Sequence, residues 1–439
     1  GIKCIAVNDN LVDLIKQRRR VSFKKKFFYT LNDSVTGKNC LSKIKILKKY
    51  FNKNNLDIIL ITAPENIAWL LNIRGFDSNF SPIPNCHLLI DRRMRISLFC
   101  DLKKIDKKFK KKFNFIGIFE IKELENFLKK IKGKDFLIDG LTCSIFYKNL
   151  IKRQNKIQKS VDPIYSFKSL KNKIEINNTK KIHLYDGAAL TKFIFWIQNN
   201  FKSGKITELS AQKKLLSFKK KFKKFKYLSF PTISSTGPNG AIVHYNATTK
   251  TNRTLKKGNI YLVDSGGQYH FGTTDVTRTI SLETKNRKIK ETFTRVLKGH
   301  LNLFNFKIKK NTTGSILDKV ARKSLRRVNL DYNHGTGHGV GFFLNVHEGP
   351  QSISKLNKIK LKEGMILSNE PGYYQKNKFG IRIENLVFIK KTNNKLFFEN
   401  LTFAPIDKDL VDKKMLTNNE KNYLFNYHLE TYSKISPFL

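Results

Sequence analysis

YLVDSGGQYHFGTTDVTRTI (residues 261–280) decides how the chain is read. An apolar run ends in Asp264, a glycine-containing turn follows, and Asp275 stands eleven residues further on, at the start of a second β-branched run. Two such runs around turn residues predict a hairpin, which would bring the two carboxylates together. Downstream, HGTGHGVGFFLNVHEGP (334–350) sets His334, His338 and His347 among glycines. GMILSNEPGYYQKNKFGIRIENLVFI (364–389) places Glu370 before Pro371, and Glu384 after Arg382 in what reads as an otherwise apolar strand. HYNAT (244–248) adds His244 upstream.

Taken singly, each residue has a plain structural reading: an Asp beside Ser-Gly-Gly suits a turn, and a His among glycines is usually a satisfied structural histidine. Glu384 resists that reading, because a carboxylate buried unpaired among apolar neighbours is strongly unfavourable. Four carboxylates gathered without compensation would also raise one another's pKa values. Two divalent cations would balance them. One imidazole with four carboxylates is an oxygen-rich donor set, which favours Mn²⁺-like ions over a Cys/His zinc site. As a set, these residues read as a dinuclear hydrolytic site.

Charge at first points elsewhere. The 439 residues hold 85 Lys+Arg against 34 Asp+Glu, a formal net charge of +51, which suggests a polyanion partner. Only 16 of the basic residues are Arg, however, and Arg is the residue that grips phosphate bidentately. The abundance of Lys, Asn, Ile and Phe fits compositional drift, and nucleic acid is not expected as a partner. Lysine is absent from 227–249, 258–284, 332–354 and 363–375, windows that hold the carboxylates and histidines just named, Glu384 excepted. Buried strands and glycine turns would exclude Lys, and so would a site already holding concentrated positive charge. Hydrophobic content of 40% excludes a disordered chain. No apolar run approaches the ~18 residues of a membrane span. Cys4, Cys40, Cys86, Cys100 and Cys143 are odd in number and form no CxxC pair, so a reducing, cytoplasmic setting is expected.

Around this core the chain reads as α/β with two main parts and no internal repeat. Residues 1–35, with RRR at 18–20, read as a remnant of a preceding domain or a linker. Over 36–165 the pattern is a small α/β domain: a helix over 41–50, a strand over 57–62, a helix over 64–73, a hairpin from 86–91 and 95–101, a helix near 121–132 and a strand over 135–139. A long helix over 174–201 opens a second domain, 172–439, with further helices near 206–224 and 288–304.

The order Asp, ten residues, Asp, then His, Glu and Glu resembles the metal-dependent pita-bread peptidases. More narrowly, GPNGAIVHY (237–245), DSGGQYHFGTTDVTRT, HGTGHGVGFFLNVHEGP and LSNEPGYY…GIRIEN resemble Xaa-Pro aminopeptidases (aminopeptidase P). The likeness is dense over 172–439, including APIDKDLVDKKMLT (404–417). It is weaker over 40–160, where DIILIT and IAWLLNIRG look like the family's second creatinase-type domain. The implied fold is a creatinase-like N-terminal α/β domain followed by a pita-bread metallopeptidase domain, with most of a first N-terminal module missing. The implied metal ligands are Asp264, Asp275, His338, Glu370 and Glu384, with Asp275 and Glu384 bridging two divalent ions, Mn²⁺ being favoured. His244, His334 and His347 match the family's other active-site histidines, and Arg382 its arginine beside the last ligand. Phe271 stands where the family often has an acidic residue, and His270 reads as a strand or turn residue.

The implied activity is release of the N-terminal residue from peptides with proline in second position, by attack of a metal-bridging hydroxide on the X-Pro carbonyl. The X-Pro amide offers no N–H to grip, and a metal pair avoids the need for one. Glu370 would shuttle the proton, while His347 and His244 would stabilise the oxyanion. A homodimer is implied by the resemblance alone. The competing readings are a prolidase-like dipeptidase and a non-catalytic pita-bread binding protein with a basic surface.

Overall fold

Ile58–Ile61 is apolar and buried at every position, the mark of a central strand. In the computed structural model, which describes residues 26–439 together with Val7, Val12 and Ile15, it lies inside a six-stranded mixed sheet. The order is Gly117–Glu120, Ile96–Cys100, Cys86–Asp91, Ile58–Ile61, Asp135–Ile138 and Lys156–Lys159. Cys86–Asp91 and Ile96–Cys100 form the expected antiparallel hairpin, and the outer strands pair in parallel. Alternation sorts the central strand onto two faces. Ile59 and Ile61 pack with Leu47, Phe51 and Trp69 on one side, while Ile58 and Leu60 pack with Leu128 and Ile151 on the other.

Most of the segment 1–35 lies outside the described residues. Its described end joins this layer: Tyr29–Thr30 pairs with Ile73–Arg74, and Phe28 and Leu31 are buried. Residues 28–31 thus pack against the part of the chain that follows them. Among the described residues no helix is long and apolar enough to cross a membrane.

The second part opens with the helix Lys173–Asn200, started by a capping box between Asn172 and Glu175 that satisfies the free N–H groups of its first turn. After it come the helix Glu208–Lys220 and then strands, among them Ile233–Thr236, Ile260–Ser265 and Val276–Ser281, which form one antiparallel sheet. The pattern then recurs, although no sequence repeat announces it. Helices Arg287–Phe304 and Gly314–Arg326 precede a five-stranded sheet ordered Glu348–Ile353, Gly337–Gly339, Ile366–Asn369, Asn385–Thr392 and Lys395–Asn400.

Arg278, nearly fully buried, stitches the two sheets. Its guanidinium donates to the carbonyl oxygens of Thr277, Glu384, Ala404 and Pro405 and to the side chains of Asn385 and Tyr427. Such a charge is tolerated in the interior only because its donors are satisfied. The strand expected to run through Glu384 is broken there. Phe379–Arg382 pairs with Gly372–Gln375, whereas Asn385–Thr392 pairs with Ile366–Asn369 and Lys395–Asn400. The reason is local: the Glu384 N–H turns to the Thr277 carbonyl of the other sheet at 3.1 Å.

Candidate metal centre

Both halves contribute to one cleft. Ile260–Ser265 and Val276–Ser281 pair with Asp264 opposite Thr277 and Ser265 opposite Val276, so Asp264 and Asp275 meet at the end of the ladder, as the hairpin reading expected. His338 enters from Gly337–Gly339, Glu370 follows Ile366–Asn369, and Glu384 occupies the strand break. The glycines around His338 are a matter of space. A Cβ at Gly337 would lie 2.0 Å from the Ser368 carbonyl oxygen, and one at Gly339 would lie 2.2 Å from that of Glu348. Their absence lets the short strand press against both neighbours and carry His338 inward.

Ligand-type atoms of Asp275, His338 and Glu384 all lie within 4.8 Å of one another. His338 Nε2 is 3.4 Å from Asp275 Oδ2 and 3.4 Å from Glu370 Oε1. Its Nδ1 faces the Gly339 carbonyl at 2.9 Å. A carbonyl only accepts, so Nδ1 carries the proton and Nε2 keeps its lone pair toward the carboxylates. A lone pair aimed at carboxylate oxygens suits a cation between them. Two further atoms say the same: Asp264 Oδ1 and Glu384 Oε1 are buried without any hydrogen-bond partner. Buried carboxylate oxygens are not left bare in a stable interior unless something else satisfies them. The donor set therefore fits divalent ions.

Electrostatics agree. Burial, then the neighbouring Asp264 and Glu370, drive Asp275 well above the usual carboxylate range. Burial, then Asp275, Glu370 and Asp264, do the same to Glu384. Burial also raises Asp264, against the opposing pull of Arg382. Burial pushes Glu370 upward too, but its surroundings, among them the Arg382 guanidinium and the Ser368 hydroxyl, hold it below its ordinary value. Glu370 is thus the carboxylate best suited to stay ionised.

Residues around these side chains fix their directions. Ser368 Oγ accepts from the His338 N–H at 2.9 Å and donates to Glu370 Oε1 at 3.0 Å, tying His338 to Glu370. Thr277 Oγ1 donates to Glu384 Oε2 at 2.9 Å and accepts from Arg382 Nε at 3.1 Å. Arg382 donates to Asp264 Oδ2 and to Tyr374 Oη, both at 2.6 Å. His334 Nδ1 donates to the Gly335 carbonyl, so its Nε2, 3.0 Å from Tyr374 Oη, accepts the phenol's proton. Burial keeps His334 neutral by lowering its pKa.

The cleft encloses about 510 Å³ and brings every residue expected from the sequence to one place. His347 stacks edge-on against His338, with ring centroids 4.2 Å apart, and its pKa falls to about 4, chiefly through desolvation by the cleft wall and then through His338. His244 and His347 both sit at the solvent-facing mouth. Phe230, Pro231, Ile233, Val243 and Tyr245 add an apolar wall. His270 belongs to the turn before Gly272, stacked on Phe271, and is not among the residues that line the cleft. Sequence reading passed over Thr277, Ser368 and Tyr374. Thr277, two residues after Asp275, and Ser368, two before Glu370, lie at strand spacing from candidate ligands, which is the signal that could have found them.

The chain is similar to known proteins over its whole described length. Residues 177–391 match the model of metallopeptidase family M24, 19–175 that of the creatinase/prolidase N-terminal domain, and 394–439 that of the C-terminal region of the M24 peptidases. A "Probable Xaa-Pro aminopeptidase P" of Laccaria bicolor is 39% identical, the match covering 100% of this chain and 71% of that protein. The "Xaa-Pro aminopeptidase 1" of Dictyostelium discoideum is 38% identical, covering 98% and 72%. Among solved structures, the X-prolyl aminopeptidase of Caenorhabditis elegans, described as a cytosolic enzyme with a di-nuclear active site, superposes with a TM-score of 0.91 at 32% identity, over 99% of this chain and 73% of that one.

Proposed function

The chain belongs to metallopeptidase family M24, and from that premise we propose that it is an Xaa-Pro aminopeptidase, removing the first residue from peptides with proline second. The observation that carries the reading is the convergence of Asp264, Asp275, His338, Glu370 and Glu384 with two carboxylate oxygens left bare. In this proposal the companion domain spans 36–165 and the catalytic domain 172–439. Asp264, Asp275, His338, Glu370 and Glu384 would hold two divalent ions between them. Mn²⁺ is the favoured ion because the donors are mostly carboxylate oxygen. A homodimer and a cytoplasmic setting belong to the same proposal; the Caenorhabditis elegans enzyme is described as cytosolic.

When bound, the ions supply Lewis acidity that polarises the scissile carbonyl and makes water a usable nucleophile at neutral pH. The chain's own groups do the rest. Glu370, held below its ordinary value beside Arg382 and the Ser368 hydroxyl, takes a proton from the attacking water and returns it to the proline nitrogen as that bond breaks. His347, neutral at physiological pH, and His244 stand at the mouth to donate to the developing oxyanion. Arg382, pinned by Asp264, Tyr374 and Thr277, keeps the ligand framework rigid. The apolar wall excludes water around the substrate's side chains.

The test is hydrolysis of an Xaa-Pro-Xaa peptide by the Mn²⁺-loaded protein, with and without chelator, beside an Xaa-Pro dipeptide. Release of the first residue from the longer peptide, abolished by chelator and by Glu370→Gln in a folded protein, is expected. Preference for the dipeptide would move the assignment to a prolidase. Near-normal turnover by Glu370→Gln would sink the proton-transfer role.

A further inference from the structure

Residues 340–347 connect His338 to His347, and groups from outside the two catalytic sheets hold that loop in place. At its centre Phe343 has φ +48°, a left-handed conformation that a bulky aromatic residue adopts only when its surroundings impose it. The imposing group comes from the companion domain. Arg74, 1% exposed, donates from Nε to the Phe343 carbonyl at 2.7 Å and from Nη2 to the Phe342 carbonyl at 3.0 Å. Its Nη1 is anchored at home, on the carbonyls of Ala68 and Ile73. A planar guanidinium can bridge two consecutive carbonyls on one chain while gripping two more on another, which no lysine can do.

The far end of the loop is tied in a similar way. Glu348 follows His347 directly, is buried, and pairs with Lys168 at 2.8 Å and with Lys171, both from the segment that joins the two domains. Between these ties, Gln268 holds the Leu344 carbonyl at 2.7 Å. His347 is thus suspended between two anchors that the catalytic sheets do not supply.

We propose that Arg74 is a positioning residue for the peptidase reaction: the companion domain reaches into the catalytic domain through its guanidinium and sets the backbone that aims His347 at the cleft. This rests on the function proposed above and assigns the companion domain a part in the chemistry. It predicts that the loss on removing the guanidinium is transmitted through His347.

The experiment is a double-mutant cycle on the full chain loaded with Mn²⁺, using Arg74→Met, His347→Ala and the pair. Kinetics on an Xaa-Pro-Xaa peptide are read beside ion stoichiometry and melting temperature. Displacing a catalytic group by about an ångström can lower the rate by on the order of 10²-fold, so Arg74→Met should reduce kcat on that scale with KM and ion content little changed. In the His347→Ala background the same substitution should reduce kcat by less than about threefold, because the group it positions is gone. Equal fold-losses in both backgrounds, or wild-type kcat in Arg74→Met, would overturn the proposal. Should Arg74→Met fail to fold, Arg74→Lys enters the same cycle; it keeps the charge, loses the two-carbonyl fork, and must show the same dependence on His347. Wild-type activity in His347→Ala alone would instead remove the oxyanion role assigned to that histidine, and the positioning claim with it.

Discussion

Thr277→Val exchanges a hydroxyl for a methyl of nearly the same volume, so it opens no cavity and tests one thing. That hydroxyl donates to Glu384 Oε2 at 2.9 Å and accepts from Arg382 Nε at 3.1 Å. Glu384 Oε1 has no partner, so the substitution strips the carboxylate of its side-chain hydrogen bond. Arg382 keeps its bonds to Asp264 and Tyr374 and is weakened less. A hydrogen bond to a charged group contributes about 1.5–3 kcal/mol net, which corresponds to roughly 10- to 100-fold in an equilibrium constant. That matches the typical loss when a residue that orients a metal ligand is removed, about 10- to 100-fold in ion affinity or activity. The assay is a Mn²⁺ titration of the chelator-stripped protein, followed by kcat at saturating ion. Thr277→Val should bind ion at least about tenfold more weakly, and Thr277→Ser, which keeps the hydroxyl, should stay close to the parent. Equal losses in both variants would mean that the methyl packing of Thr277 matters and its hydroxyl does not. An unaltered Thr277→Val would refute the reasoning outright.

Tyr374→Phe removes the hydroxyl that links Arg382 to His334, and should lower kcat by about tenfold while two ions remain bound, as measured by metal analysis beside kinetics. Lys219→Met strands Asp186 in the interior, where Lys219 Nζ sits 2.5 Å from its carboxylate and both are buried; unfolding should become easier by about 3–5 kcal/mol, with kcat per folded molecule unchanged. Burial pushes Asp162 up to about 6 in the folded chain, so its contribution is complete below the unfolded carboxylate value and is lost as pH rises toward and through 6. Asp162→Asn should therefore melt higher than the parent at pH 8, by up to about 3 kcal/mol of stability, and no higher at pH 4; Asn66, whose Oδ1 lacks a partner, can turn to accept from the new amide.

Much of the site was legible because its chemistry is written in residue type and spacing. Asp264 and Asp275 flank a turn on neighbouring strands, and short-range turn rules suffice to bring them together. Glu384 stood out because a carboxylate among apolar residues needs a partner, and the structure leaves its Oε1 waiting for one. The helix Lys173–Asn200 followed from apolar spacing, a local signal, and the structure adds the Asn172–Glu175 capping box that starts it. The place of Tyr29–Thr30 was not legible, because it is only two residues long and is held by pairing with Ile73–Arg74, a contact no local pattern encodes.

The amino-acid sequence by itself determined which groups are candidates to hold cations, the α/β character of both parts and the order in which those groups arrive along the chain. Periodicity, turn chemistry and the cost of a bare charge act over a few residues, so they survive in one dimension. Only the tertiary structure decided how the two helix-and-sheet halves close on each other, since Arg278 satisfies its donors on carbonyls more than a hundred residues away. It alone decided that Thr277 orients Glu384 across 107 positions, and that Arg74 grips a loop 268 residues further on. Threonine and arginine are common residues with many uses, and their meaning here lies in which distant atom each one reaches.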